Sequence, residues 1–164
     1  MSTPLPTASE AWVDALFNAV ISDAAACGWF DRVNGAEPMS APGHGLTAAV
    51  WIQAGPLPVG TESGLDKSSG VLLFHVRIYT PLTAAARDEI DPRVTKAVSA
   101  LFRRWHDDYD FDLNPMVRNV DVYGQAGRGG LDSRAGYVEV SGQMCRVMTI
   151  TLPVIVNDIW TFGS

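Results

Sequence analysis

From Met144 to Val156 the chain reads MCRVMTITLPVIV, an almost unbroken run of β-formers within the longer stretch Gln143–Trp160. Its two alternate sets are both largely apolar. Met144, Met148, Ile150, Leu152 and Val154 are read on one, and Cys145, Val147 and Val156 with the threonines on the other. A strand apolar on both faces is covered on both faces, so this segment is expected inside a sheet rather than at its rim. Asn157-Asp158, a turn pair, is expected to end the run, and Trp160 follows as an aromatic stop.

Two helices are expected to cover this strand. Thr7-Ala-Ser-Glu10 matches a capping box. Behind it Val13, Leu16, Phe17, Val20, Ile21 and Ala24 recur at helical spacing beside Trp12, and Gly28 suits a C′ stop. The plain reading of that stripe is core packing; a face shared with a neighbouring subunit is the alternative. Asp91-Pro92 places a capping carboxylate before a proline at a first helical position. Val94, Ala97, Val98, Leu101, Phe102 and Trp105 then form a second stripe, with Arg103 and Arg104 off it near the C-terminus, where cations suit the helix dipole. A solvated face explains that charge run, and an ion-pairing subunit contact is the sharper alternative.

The remaining elements read as strands and long loops. Short strands are expected at Phe30–Val33 and Leu46–Ala54, longer ones at Gly70–Thr80 and Met116–Tyr123, and one at Tyr137–Ser141, with Gly142 as a bend or bulge. Gly70–Thr80 carries Leu72, Phe74, Val76 and Ile78 on one face and Val71, Leu73, His75, Arg77 and Tyr79 on the other. The second face turns polar towards its end, which points to solvent or a partner there. Residues 55–70, rich in Gly, Pro and Ser, read as a long loop in an extended hairpin arm or flap, and 124–136 as a glycine-rich connector. The order predicts a single α+β domain over 1–164, with residues 1–6 as an arm. Two helices pack on one face of a largely antiparallel or mixed sheet.

Composition limits the functions open to such a domain. With 47% hydrophobic and 18% charged residues over 164 positions, the chain has globular make-up. No apolar run reaches the roughly 20 residues a membrane helix needs, and MSTPLPTASE has neither a basic nor an apolar leader region, so no signal peptide is expected. A net charge of −6 argues against general nucleic-acid binding, which needs cations to displace counterions. It leaves room for a wall past which DNA slides without being gripped. Cys27 and Cys145 are expected to be free buried thiols.

The candidate chemical motifs fail on their details. Asp108, Asp110, Asp112 and Asn114 alternate as in half an EF-hand, but the sixth position is Leu113 and the twelfth Asn119. The loop Gly124–Gly130 lacks the Lys-Ser or Lys-Thr of a phosphate cradle and leads into a strand. His44, His75 and His106 lie apart, without partners at metal-ligand spacing. No enzyme, metal or cofactor is expected. The candidate partner-contact residues are Arg77, Tyr79, Arg103, Arg104, Arg128, Arg134 and Trp160.

With these elements in order, the chain resembles the tail terminator (tail completion) proteins of long-tailed phages of actinobacteria. The resemblance rests on the N-terminal amphipathic helix, the strand–long loop–strand unit ending in FHVRIYT, the helix DPRVTKAVSALFRRW and the closing GYVEVSGQMCRVMTITLPVIVNDIW. It implies a virion subunit, assembled in the host cytoplasm, that forms a homo-hexameric ring on the head-proximal end of the tail tube. Its partners would be itself, the major tail tube protein and head-closure or neck proteins, with DNA passing through the lumen and no sequence-specific binding. Another neck component, or a small α+β ligand-binding or enzymatic domain, is the alternative.

Overall fold

The structure, a computed structural model, describes residues 10–40, 42–43, 45–60 and 63–162. The capping threonine, the N-terminal arm and His44 lie outside them. Two helices, α1 (Ala11–Ala26) and α2 (Arg87–Asp107), accompany six strands: β1 (Arg32–Asn34), β2 (Thr47–Val59), β3 (Lys67–Pro81), β4 (Val117–Val120), β5 (Asp132–Val140) and β6 (Gln143–Thr161). The sheet runs β1-β2-β3-β6-β4, with β5 also on β6; β1 and β2 are parallel and every other pair is antiparallel. This is the expected α+β class, and β6 is its centre.

One edge of β6 is paired with β3 from Cys145 to Thr161. The other edge is divided: β5 takes Gln143–Thr151 and β4 takes Val154–Val156. Pro153 sits in the gap between them. Its carbonyl accepts the Asp121 N–H at 2.9 Å, so the N–H that proline lacks would have pointed into the same gap, where no strand is waiting. A proline is therefore tolerated in the middle of the sheet.

The even-numbered residues Ile150, Leu152, Val154 and Val156 join Leu72, Phe74, Val76 and Ile78 in the main core. Leu16, Val20 and Ala24 of α1 and Val94, Leu101 and Trp105 of α2 close that core from above, and the Phe17 and Phe74 rings stack with centroids 6.3 Å apart. Both helices thus lie on one face. Among the described residues the opposite face has two small clusters, one around Tyr79, Cys145 and Val147, the other around Val59, Val71 and Leu73. Both cysteines are free; Cys145 is buried and Cys27 half-buried.

Several boundaries depart from expectation. Helix α2 begins at Arg87, a turn before Asp91, so Pro92 lies inside it and removes one bond to the Asp88 carbonyl. Asp91 is no cap: its Oδ1 accepts the Arg146 Nε–H at 2.9 Å. Strand β2 continues to Val59 through bulges at Ala54 and Gly55–Leu57, and β3 starts at Lys67, so the loop of the 55–70 segment shrinks to 60–66 in a long hairpin arm. Gly55 is required there, with φ +102 and only 2.7 Å from its absent Cβ to the Val71 carbonyl.

Asn157-Asp158 is a bulge and not a terminus. Gly70 pairs with Val156 and Ser68 with Trp160, so three β6 residues oppose Ser69 alone. Asp158 takes φ +54 and its N–H donates to the Ser69 hydroxyl at 3.1 Å. Strand β5 starts at Asp132, five residues early. Its turn into β6 has positive φ at both Ser141 and Gly142, as a two-residue type I′ hairpin requires, so Gly142 is a turn residue. Strand β4 stops at Val120, three residues short of the expected end.

Candidate functional site

The helix-free face of the sheet presents its side chains in rows set by strand register. Ala49, Arg77, Thr149 and Arg134 form one row across β2, β3, β6 and β5; Trp51, His75, Thr151 and Asp132 form the next. Residues directly opposite in an antiparallel pair share a face, so these eight point to the same side.

The middle of this surface is organised around Arg77. Its Nε donates to Thr149 Oγ1 at 2.8 Å, and its guanidinium carbon lies 5.1 Å from the centre of the Trp51 ring. The His75 ring meets Trp51 edge-on with centroids 5.6 Å apart. Such a cation–π contact fixes the long arginine against a flat apolar plate. Burial lowers the His75 pKa, Arg77 lowers it further, and Asp132 and Glu37 pull weakly the other way. His75 is therefore held neutral around pH 7 and presents ring edges rather than charge. Arg134 and Asp132 border the surface and face each other at 3.9 Å in the open. The ensemble offers guanidinium donors, an indole face and threonine hydroxyls, which suits recognition of a partner's carboxylate and aromatic groups.

The structure brings Arg77 and Arg134 together on opposite sides of Thr149. The other five contact candidates are dispersed. Tyr79 is buried, enclosed by Ala49, Val140, Cys145 and Val147, and burial raises its pKa. It is a core residue, because β5 and the β5–β6 turn end of the sheet close over its row. Arg103 is exposed on α2.

Arg104 turns inward instead. Its Nη2 donates to Asp23 Oδ1 at 3.1 Å and links α2 to α1. Asp23 is only 6% exposed, and its pKa is raised to about 6 by burial first and by the Asp108 carboxyl second, against the pull of Arg104. The ion pair is thus internal to the subunit. Asp108 belongs to this cluster and not to a cation loop; among the described residues no three acidic, histidine or cysteine side chains are grouped to hold a metal.

Arg128 sits on the glycine-rich loop, 3.5 Å from the Pro58 carbonyl. That loop is a fixed feature rather than a slack connector. Buried Asp121 accepts the Gln125 N–H on Oδ1 at 2.9 Å and the Ala126 N–H on Oδ2 at 3.0 Å, and Ala126 packs on the Val59–Val71–Leu73 cluster. Asp121→Ala would leave two amides without their charged acceptor. It is expected to cost about 2 kcal/mol, read as a lower urea midpoint with earlier amide exchange at Gln125 and Ala126. Unchanged exchange at both amides would contradict this role.

Trp51 and His75 are the site residues that the sequence pattern left unassigned. Their signal, an aromatic and a histidine on partly polar strand faces, acquires meaning only when register places them side by side. No model of a known protein family matches the chain, and no curated protein matches it either. Among the described residues no helix is long and apolar enough to cross a membrane.

Proposed function

We propose that this chain is a structural subunit of a phage virion, a tail terminator that forms a ring on the head-proximal end of the tail tube and joins it to the neck. The observation that carries the proposal is the helix-free sheet face, where Arg77, Trp51, His75 and Arg134 stand in register and are half-buried or exposed. A sheet packed on one side and decorated with arginine and indole on the other is suited to stacking on another component. The end of the β2–β3 hairpin supplies a second, different surface. A closed ring needs two unlike patches on each subunit, so that successive copies meet head to tail. The sequence resemblance, which runs through most of the chain, supports the same assignment, and the acidic balance suits a lumen that DNA traverses without binding.

The test is assembly. Native mass measurement and negative-stain images are expected to show closed rings of the isolated chain at high concentration, and added protein is expected to halt growth of the tail tube. A chain that stays monomeric and leaves tube length unchanged would overturn the assignment. Rings that form but ignore tubes would move the protein to another position in the neck.

A further inference from the structure

We infer that the tip of the β2–β3 arm inserts into a groove beside α2 on a second copy of this chain, so that copies join head to tail. The inference rests on the ring assignment and names the contact that would make the ring.

The tip gathers three large apolar side chains at one end of the sheet. Leu65 is fully exposed, Phe162 is 64% exposed and Trp160 is 38% exposed. They are neighbours by backbone geometry: the Phe162 N–H donates to the Asp66 carbonyl at 2.8 Å, and Thr161 and Trp160 pair with Lys67 and Ser68. The Trp160 ring is propped over Gly70, where a Cβ would lie 3.2 Å from it. Single exposed apolar residues are ordinary, but three grouped at one end of the sheet mark a contact surface.

The groove has a volume of about 640 Å³ and lies between Trp29 and the start of α2, with Ala84, Ala85 and Pro92 contributing apolar wall. Trp29, at 39% exposure, is another large apolar side chain left open to solvent. Asp88 and Glu89 in the first turn of α2, and Arg93 and Lys96 further along it, also line the groove. Among its described residues the tip carries Asp66 and Lys67, one charge of each sign, beside its apolar residues. Each piece carries both signs beside its apolar surface, so Asp66 of the tip can meet Arg93 or Lys96 of the groove while Lys67 meets Asp88 or Glu89.

Knob and groove cannot meet within one molecule. The 15-residue strand β3 separates them, with the tip before Lys67 and the groove after Pro81. At about 3.3 Å per residue that is roughly 45 Å of strand. A knob and a groove at opposite ends of one subunit generate a heterologous contact, which closes into a ring or runs on as a filament.

Complementation decides it. Leu65→Glu with Phe162→Glu removes the knob, and Ala85→Arg fills the groove. Ala84→Arg serves as the groove block if Ala85→Arg lowers the melting temperature. Each variant alone is expected to need at least roughly tenfold higher concentration to self-associate in native mass measurement or sedimentation. Mixed in equal amounts, they are expected to give dimers and stop there, because one intact knob then faces one intact groove. A knob variant that assembles like wild type, or a mixture that yields no dimer, overturns this contact while leaving the ring assignment standing. Wild-type chain that forms no assembly at all, alone or on tubes, overturns both.

Discussion

Leu152→Ala is expected to remove about 2–5 kcal/mol of stability, whereas Thr149→Ala, three residues earlier on the same strand, is expected to remove about 1 kcal/mol or less. Leu152 is fully buried and pairs with Phe74 under α1. Its truncation leaves a cavity between two helices and three strands that cannot all close in. Thr149 lies on the helix-free face, half-buried, and its hydroxyl accepts from Arg77. There, water can replace it. For a domain of this size the larger loss is a sizeable part of total stability, which is typically about 5–15 kcal/mol, and would lower the melting temperature by roughly 10 °C. Urea unfolding of the two variants beside wild type measures the difference. Equal losses would mean that the two faces of β6 are covered alike, and the division between a packed face and a recognition face would fall.

The features legible in sequence are those in which side-chain pattern and burial coincide. Leu16, Val20 and Ala24, or Val94, Leu101 and Trp105, announce their helix faces because each face meets one continuous core. Strand β6 announces itself because its even residues are buried under helices and its odd residues include Cys145 and Val147. The first half of β5, Asp132–Gly136, is different. It buries no side chain fully and exists because Thr151–Val147 of β6 offers a free edge to pair with. No local pattern encodes that. The α2 start was masked by Asp91-Pro92, a sound cap in isolation; burial of Ile90 and the draw of Asp91 towards Arg146 extend the helix past it. Alternation placed Tyr79 beside Arg77 correctly, but only the arrangement of β5 and the β5–β6 turn shows that one end of that face is closed and the middle open. Recognition of Trp51 with His75 required the β2–β3 register, a fact about two segments that neither contains alone.

Asp23→Asn is expected to leave the protein about as stable as wild type near pH 4 and to make it more stable near pH 7.5, by up to the order of 3 kcal/mol. Asp23 is buried between α1 and α2, and its pKa is raised from 3.8 to about 6. Beyond burial, two groups act on it: Asp108 raises the value and Arg104 lowers it. Burial outweighs the arginine because Asp23 is almost wholly enclosed while the Arg104 side chain is partly solvated, so a single contact at 3.1 Å must offset the desolvation of the carboxylate. A carboxyl whose folded pKa lies above its unfolded one stabilises the fold fully below the unfolded value. That contribution is lost as pH rises from about 4 through about 6 and stays lost above it. Asparagine imitates the protonated acid at every pH: its carbonyl oxygen can accept from Arg104 and its amide can donate to Asp108. Other carboxylates shift both proteins equally, so the difference between the two unfolding free energies isolates this site. That difference is expected to open between pH about 4 and about 6.5, with Asn favoured. Parallel curves would show that Asp23 ionises at an ordinary pKa. A loss of stability in the variant at pH 7.5 would show instead that the Arg104 ion pair outweighs the burial of its charges, and that α1 is held to α2 by that bond.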